Sequence, residues 1–245
     1  MAIATLNQVE VDYPRGRALG PFSLAVEAGE IVALVGPSGC GKSTAMRLMA
    51  GLEAPTRGEV SRAPGRGESA VVFQAPTLAP WLSARANAAL PLELAGVGGG
   101  EAASRAERAL ARVGLAGAAG ARPAQLSGGM AMRVSLARAL VTEPKLMLLD
   151  EPFAALDEIT RRGLADDVLT LWAESRPAIV FVTHNVEEAV YMASRVVVMS
   201  RGPGRTVGEV AVSGPAPRPA GFRTTEGFRG HVEAVSALLA KGMAA

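Results

Sequence analysis

The segment at 36–44 constrains this chain most, because it places three glycines and a lysine between a strand pattern and a helix pattern. It reads Gly36-Pro37-Ser38-Gly39-Cys40-Gly41-Lys42-Ser43-Thr44, directly after the apolar run at 31–35. The glycines let the backbone turn its N–H groups around a phosphate, and the helix start adds the positive end of a dipole. A chance glycine-rich turn is disfavoured because strand, loop and helix agree. The spacing predicts a phosphate-binding loop in which Lys42 holds the β- and γ-phosphates and the Ser43 hydroxyl holds Mg²⁺.

Composition places the chain among folded proteins and excludes several kinds of site. Its 245 residues are 49% apolar and 20% charged, which is enough for a substantial core. The net charge of +2, with no long block of lysine and arginine, disfavours nucleic acid as a partner. The single cysteine, Cys40, excludes an internal disulfide and a multi-cysteine metal site, so we expect its role in the loop to be steric.

The sequence contains no pattern typical of a membrane anchor. The N-terminus lacks a basic start followed by an apolar signal core, and no run of about 18 apolar residues is present. If a membrane is involved, we therefore expect other chains to span it.

Apolar runs alternate with helical patterns, which predicts an α/β fold with a parallel sheet. The N-terminal third is rich in strand patterns, whereas 76–142 is alanine-rich and indicates a helical insertion. Strands are predicted at 4–11, 22–26, 30–35, 69–73, 146–149, 178–182 and 195–199. Helices are predicted at 83–94, 101–113 and 131–140, with a flexible glycine-rich connection at 96–100. The tail is predicted to be loop at 214–219, followed by one short helix.

A second motif lies at 145–152, where a buried-strand pattern ends in two adjacent carboxylates, Asp150 and Glu151. It resembles a Walker B motif. Ligands of open α/β sheets bind at the carboxyl ends of the strands, so Asp150 is predicted to help hold Mg²⁺ and Glu151 to act as general base towards water. A strand that ends in a solvated acidic turn is the alternative. The phosphate loop upstream favours the functional interpretation.

A third motif is Leu126-Ser127-Gly128-Gly129-Met130, ahead of a helical pattern. Ser127 fits an N-cap, and two glycines at a helix start expose N–H groups to an anion. The motif predicts a second phosphate-binding helix terminus. An ordinary capped helix is the alternative.

The order of these motifs resembles that of the ABC transporter ATPases over nearly the whole chain. The order is the phosphate loop, Gln74, Leu126 to Gly129, Asp150-Glu151, Ala155-Leu156-Asp157 and His184. The resemblance implies a RecA-like P-loop NTPase core with an N-terminal antiparallel β subdomain and an inserted α-helical subdomain. The implied bounds are 1–75 and 143–213 for the core with its β subdomain, 76–142 for the helical signature subdomain and 214–245 for a C-terminal tail helix.

The same resemblance implies a head-to-tail homodimer, in which Ser127, Gly128 and Gly129 of one copy face the γ-phosphate held by the other copy's loop. It also implies that Tyr13 stacks on adenine, that Gln74 senses Mg²⁺ and the attacking water, and that His184 contacts the γ-phosphate. Asp157 then belongs to a loop at the dimer interface. A strand-end aromatic, a structural histidine and a helix-flanking Asp are the respective alternatives.

Further segments resemble the nitrate, sulfonate and taurine importers, notably 72–81, 153–161 and 201–205, together with Asn87. This resemblance implies an ATP- and Mg²⁺-dependent subunit that lies peripherally on the cytoplasmic face of the cell membrane. Its implied partners are a second copy, two permease subunits and, through the permease, an extracytoplasmic solute-binding protein. Trp81 and Leu82 become candidates for permease docking, with a core role as the alternative.

Some positions depart from the family pattern, and two other functions stay open. Met130 replaces the commoner Gln, Asn185 follows His184 where many members have Asp, and Ala154 replaces a small polar residue. Neither Met130 nor Asn185 removes a catalytic group, whereas Ala154 bears on communication between the sites. The alternatives to an importer are a soluble ABC ATPase in cofactor assembly and an exporter cassette.

Overall fold

The described chain forms two β-sheets, of which the N-terminal one is small and antiparallel. The computed structural model describes residues 2–65, 67–154 and 156–244. Its strands are β1 (Ala2–Tyr13), β2 (Gly16–Glu27), β3 (Ile31–Val35), β4 (Arg57–Arg62), β5 (Ser69–Val72), β6 (Leu146–Asp150), β7 (Ala178–Thr183), β8 (Arg195–Met199) and β9 (Thr206–Ala211). Strands β2, β1 and β4 pair in that order, and both pairings are antiparallel. The antiparallel N-terminal sheet predicted from the sequence is confirmed.

The other strands form a second sheet, in the order β5-β6-β7-β3-β8-β9. Its first five strands run parallel, and β9 is antiparallel to β8. Every residue of β3 and β7 is buried, as their continuous apolar runs require for strands covered on both faces. The parallel pairing brings the carboxyl ends of β5, β6, β7 and β3 to one edge.

Helices cover both faces of this sheet and also form a group of their own. They are α1 (Lys42–Ala50), α2 (Ala84–Leu94), α3 (Gly99–Arg112), α4 (Gly128–Leu140), α5 (Glu158–Ser175), α6 (Val186–Met192) and α7 (Glu226–Ala244). Helices α2, α3 and α4 pack against one another. Alternate residues of β3 enter two cores, with Ile31 and Val35 on one side and Leu34 on the other. The second core also joins the small sheet and α1 to the large sheet.

Several elements differ from the sequence-based expectation. Strands β4 and β9 were not predicted, and β2 begins at Gly16 rather than at Phe22. The connection at 96–100 is partly helical, because α3 begins at Gly99. The tail helix was predicted to be short, and this prediction is wrong, since α7 has 19 residues. Its contacts with β8, β9 and α6 explain the length, because tertiary packing stabilises a helix beyond its intrinsic propensity.

A buried asparagine organises the loop before α2. Asn87 is fully buried, and its Oδ1 accepts a hydrogen bond from the Ala79 N–H at 2.7 Å. Its Nδ2 lies within hydrogen-bonding distance of the carbonyls of Ala79, Leu82 and Ser83. These bonds fix the loop that carries Trp81, whose side chain is 73% exposed. The exposure excludes a core role for Trp81.

None of the helices in the described part of the chain combines the length and hydropathy needed to cross a bilayer.

A second buried polar residue, Glu188, lies on α6 behind the carboxyl edge of the large sheet. Its side chain is 7% exposed, and burial raises its pKa to about 7. The Thr183 hydroxyl donates a hydrogen bond to this carboxylate, and Arg161 also opposes the rise, whereas Glu151 adds to it. The ionised form of Glu188 is therefore a destabilising feature of the fold.

We expect Glu188→Gln to stabilise the chain at high pH and to have little effect at low pH. Because the folded pKa of about 7 exceeds the ordinary value of 4.5, the wild type loses stability as pH rises through this interval. The amide still accepts from Thr183 but does not ionise, so the gain in free energy of unfolding reaches about 3 kcal/mol near pH 8. Urea unfolding near pH 5 and near pH 8 measures it, with the exposed Glu187→Gln as control. A gain of equal size at both pH values would contradict this account.

Candidate nucleotide-binding site

The carboxyl edge of the large sheet collects most of the predicted site residues. Four adjacent strands lead into Gln74 after β5, Asp150 and Glu151 at the end of β6, His184 after β7, and the loop 36–44 after β3. Residues that are distant in sequence therefore share one edge, where open α/β sheets bind ligands.

The loop at 36–44 depends on its glycines for specific steric reasons. Gly39 and Gly41 have positive φ values of 75° and 100°, which side-chain-bearing residues rarely adopt. A Cβ on Gly41 would lie 2.6 Å from the Ala18 carbonyl oxygen. A Cβ on Gly36 would lie 2.9 Å from the Cys40 Sγ. The chain therefore turns tightly and enters α1 at Lys42.

The side chain of Lys42 lies inside the turn that this loop forms. It is buried, and its Nζ donates to the carbonyls of Gly36 and Pro37, both at 2.8 Å. The same ammonium lies 3.8 Å from the Cys40 Sγ. Cys40 is fully buried, and burial raises the pKa of its thiol. Of the remaining loop side chains, Ser38 is exposed, and the Thr44 hydroxyl accepts a hydrogen bond from Arg47.

Ser43 and Asp150 meet across the sheet, although they are 107 positions apart in sequence. The Ser43 hydroxyl donates to Asp150 Oδ1 at 3.0 Å. Burial raises the pKa of Asp150, the Ser43 hydrogen bond opposes the rise, and Glu151 adds to it. A hydroxyl and a carboxylate in contact form an all-oxygen donor set, which fits Mg²⁺. No larger cluster of His, Cys, Asp and Glu fit for a metal occurs in the described residues, and Mg²⁺ sites need only one or two carboxylates when phosphates supply other ligands.

Glu151 and His184 face each other at the same edge. The Nδ1 of His184 lies 3.4 Å from Glu151 Oε2, and the His184 side chain is 64% exposed. Glu151 has a φ of 44°, and its N–H donates to the Val182 carbonyl at 3.0 Å. A glutamate in this backbone region is strained, and such strain is concentrated at functional sites. The geometry gives an accessible carboxylate and imidazole beside the Ser43–Asp150 contact.

Gln74 lies at this edge but is exposed, and no hydrogen bond of its side chain occurs within the described residues. The segment that follows it is anchored by Arg138 on α4, which was not predicted from the sequence. Arg138 donates to the carbonyls of Pro76 and Thr77 at 2.9 and 2.8 Å. This contact links the Gln74 loop to the helix that follows Ser127. No sequence motif indicates this contact, because it joins residues about 60 positions apart through two backbone carbonyls and the Thr77 hydroxyl.

Tyr13 ends β1 beside the phosphate loop's helix, with its side chain 39% exposed. Its hydroxyl donates to Glu53, and Arg47 on α1 donates both to that hydroxyl at 3.2 Å and to Glu53 at 3.1 Å. These three side chains fix the ring in place. Neither Arg47 nor Glu53 was predicted from the sequence. The one feature of the sequence that places Arg47 near the site is its spacing of four residues from Ser43, which puts both side chains on the same face of α1.

The signature motif caps α4. The Ser127 Oγ accepts a hydrogen bond from the Met130 N–H at 3.2 Å, as an N-cap should. Ser127 and Gly128 are exposed, whereas Gly129 is buried, and a Cβ there would lie 2.7 Å from the Thr160 side chain on α5. Among the described residues, no hydrogen bond joins Ser127 to the loop 36–44 of the same chain. The structure therefore links these two predicted phosphate sites by no hydrogen bond within the described part of one chain.

Asp157 caps the next helix, α5. Its carboxylate accepts from the N–H groups of Ile159 and Thr160 and from the Thr160 hydroxyl, and the hydrogen bonds from Thr160 lower its pKa. Ile159 beside it is 85% exposed. Ala155, part of the predicted interface loop, lies outside the described residues. Asp157 is therefore a structural cap, beside an exposed apolar side chain.

Comparison with known proteins agrees with this arrangement. The taurine import ATP-binding protein TauB of Chromobacterium violaceum is 46% identical over 215 residues, or 84% of this chain and 82% of its own. The nitrate import ATP-binding protein NrtD of Synechococcus elongatus is 44% identical over 207 residues, or 80% of this chain and 75% of its own. The dimeric, post-hydrolysis structure of the ATP-binding cassette MJ0796, bound to ADP and Pi, has a TM-score of 0.76 and 32% identity, and the match covers 86% of this chain and 100% of that one.

These matches confirm the cassette fold predicted from the motif order, with its P-loop core, antiparallel β sheet and inserted helices. The family model described as ABC transporter matches residues 19–154, which include the phosphate loop, the signature motif and the Asp150-Glu151 pair. The chain belongs to the ABC transporter family.

Proposed function

We propose that this chain is the ATP-binding subunit of an ABC importer, which hydrolyses ATP to drive uptake of a small solute such as nitrate, an aliphatic sulfonate or taurine. The observation that carries the proposal is the shared edge where Ser43 contacts Asp150 and Glu151 faces His184. The names of the similar proteins TauB and NrtD support import over cofactor assembly and export.

In this proposal the loop binds the phosphates and the edge residues position water. The loop N–H groups and Lys42 hold the phosphate chain, and Tyr13, fixed by Glu53 and Arg47, stacks on the base. Ser43, Gln74 and Asp150 hold Mg²⁺, which when bound supplies positive charge against the phosphate oxygens.

Glu151 accepts a proton from the attacking water at its carboxylate. His184, 3.4 Å away, orients that carboxylate and contacts the γ-phosphate. Charge stabilisation and positioning lower the barrier, because phosphoryl transfer requires little covalent chemistry from the protein.

The complete site requires a second copy of the chain. Ser127 and Gly128 are exposed, and the described part of the chain has no hydrogen bond between Ser127 and its own phosphate loop. In a head-to-tail dimer, Ser127, Gly128 and Gly129 complete the partner's site with a helix N-terminus. The dimeric form of the similar cassette MJ0796 supports this arrangement.

The permease partner docks on the helical region in this proposal. Trp81 is exposed on a loop that Asn87 fixes, and Arg138 links the adjacent Gln74 segment to α4. A rigid, exposed aromatic suits an interface anchor. The chain then lies peripherally on the cytoplasmic face of the membrane beneath two permease subunits, which an extracytoplasmic solute-binding protein supplies. We also propose the domain bounds that the sequence implied: 1–75 and 143–213 for the core with its β subdomain, 76–142 for the helical subdomain and 214–245 for the tail.

We expect Glu151→Gln to bind ATP, to trap the closed dimer and to lower hydrolysis by roughly 10²- to 10⁴-fold, because the amide cannot accept the proton. Steady-state phosphate release and light scattering with Mg·ATP measure the two effects. Glu187→Gln, an exposed change on α6, serves as the control and should hydrolyse ATP at the wild-type rate. Turnover near wild type in Glu151→Gln would remove Glu151 from the role of base.

We expect inactive variants to complement each other only when their defects lie in opposite halves of the composite site. A mixture of Lys42→Ala and Ser127→Arg forms heterodimers with one intact site, so equal mixing restores about a quarter of wild-type turnover. The mixture of Lys42→Ala and Glu151→Gln is the matched control, since both changes affect the same half, and it stays inactive. Recovery in both mixtures, or in neither, would contradict the head-to-tail site.

We expect Trp81→Ala to weaken capture of the permease by about tenfold, while basal hydrolysis stays unchanged. Co-expression with candidate permease subunits, detergent extraction and quantitative pull-down measure the capture. Met243→Ala, another exposed apolar side chain, is the control on the tail helix. A stable complex with assembly proteins alone, and none with a permease, would refute the importer.

A further inference from the structure

A cleft of about 550 Å³ lies between α5, α6 and the segment 217–224 that leads into the tail helix. No residue of the candidate nucleotide site lines it. Its polar lining is dominated by arginine, with the side chains of Arg162, Arg218, Arg223, Asp166, Tyr191 and Thr224 around it. The lining itself holds three guanidinium groups and one carboxylate, with Glu158 and Glu187 close to Arg162 and Arg223, so the lining carries an excess of positive charge.

Arg223 contributes a guanidinium whose donors have no partner in the described residues. Its Cζ lies 3.6 Å from the centroid of the Tyr191 ring, a cation–π contact that uses the face of the group and leaves its N–H edge open. Burial is the main cause that lowers the pKa of Arg223, and Arg162 adds to the fall, whereas Tyr191, Asp166 and Glu187 oppose it. The nearby Asp166 already accepts a hydrogen bond from the Tyr191 hydroxyl. The charge of Arg223 is therefore incompletely compensated.

Arg162 lines the same cleft from α5. Its Nε contacts Glu158 at 2.7 Å, and both side chains are about half exposed, at 54% and 56%. Glu158 is also shared with Arg161, which approaches it at 3.2 Å. An exposed pair of this kind contributes little to stability. Arg162 can therefore leave Glu158 and bind a ligand anion at little cost in free energy.

Arg218 forms the wall of the cleft. It donates to the carbonyls of Tyr191 and Ala193, both at 2.9 Å, and its guanidinium lies 4.5 Å from the centroid of the Phe222 ring. These neutral carbonyls satisfy its donors without cancelling its charge, and burial lowers the pKa of Arg218. Arg218 therefore anchors the tail segment and also adds to the positive potential of the cleft.

We propose that this tail cleft binds a small organic anion through an oxyanion group, sulfonate, phosphate or carboxylate, with Arg223 and Arg162 as its charged partners. Planar guanidinium groups suit such oxygens because they donate two parallel hydrogen bonds. Leu169, Pro217 and Pro219 supply an apolar wall for the body of the ligand. This site is separate from the nucleotide site and does not depend on the proposed function.

Ligand-observed NMR on the full chain tests the proposal with three probes at millimolar concentration. Benzenesulfonate carries one negative charge and an apolar ring, methanesulfonate carries the same charged group with a single methyl, and benzenesulfonamide keeps the shape without the charge. We expect benzenesulfonate to bind, methanesulfonate to bind more weakly and the sulfonamide not to bind. Binding of methanesulfonate as tight as that of benzenesulfonate would overturn the assignment of an organic ligand, and binding of the sulfonamide would overturn the charge requirement.

Variants locate the probe in the tail cleft. Arg223→Gln and Arg162→Gln should each weaken benzenesulfonate binding by about tenfold, as expected for the loss of one charge-assisted hydrogen bond. Arg108→Gln removes an equal charge from the exposed face of α3 and should leave binding unchanged. Binding should persist in Lys42→Ala, which separates this cleft from the phosphate loop.

Because Arg162 is exposed, its replacement should not unfold the protein, so a loss of binding cannot be attributed to misfolding. Arg162→Gln should keep the wild-type unfolding midpoint, so a loss of binding in that variant reports on the ligand contact. Wild-type affinity in both Arg223→Gln and Arg162→Gln, or loss of binding in Lys42→Ala alone, would overturn the proposal.

Discussion

The hydrogen bond between Ser43 and Asp150 depends on the strand order, and the candidate site depends on both. Because β7 lies between β6 and β3 in a parallel sheet, the loops after all three strands reach the same edge. Backbone pairing therefore sets the separation of the two oxygen donors, 3.0 Å apart, before any ligand contributes. The consequence is a half-buried carboxylate whose pKa is raised, at the end of a strand that is otherwise fully buried.

The parts of this site that were predictable are those governed by local pattern. The loop at 36–44 needs positive φ at Gly39 and Gly41, and the buried strands before it and before Asp150 read as continuous apolar runs. Strand β4 could not be found in this way, because nearly all of its residues are exposed and it owes its pairing to β1. The contact of Glu53 with the Tyr13 hydroxyl could not be predicted either, because the two residues are 40 positions apart and only the folded chain brings them together. No periodicity encodes such a contact.

The interface elements are tied rigidly to the chemical edge. Gly129 must be glycine because α4 approaches Thr160 on α5 too closely for a Cβ, so the signature helix and α5 form one packed unit. Asp157 caps α5 shortly after Glu151, whose strained backbone is itself fixed by the Val182 carbonyl. The signature helix and the segment that carries Glu151 are therefore joined through α5. In the proposed dimer, this packing would make a shift of the signature helix and a shift of the Glu151 segment parts of one event.

Glu188 is influenced both by the sheet edge that carries Glu151 and by the cleft that Arg223 lines. Burial is the main cause of its raised pKa, but among its smaller influences Glu151 raises it and Arg223 lowers it. The charges of Glu151 and of Arg223 therefore both influence one buried carboxyl group. A ligand that neutralises Arg223 removes one of the influences that favour ionised Glu188, so it raises the affinity of Glu188 for a proton. For the proposed ligand, linkage would then make protonation of Glu188 favour an anion in the cleft, by a small amount because Arg223 is the weakest of these influences on Glu188.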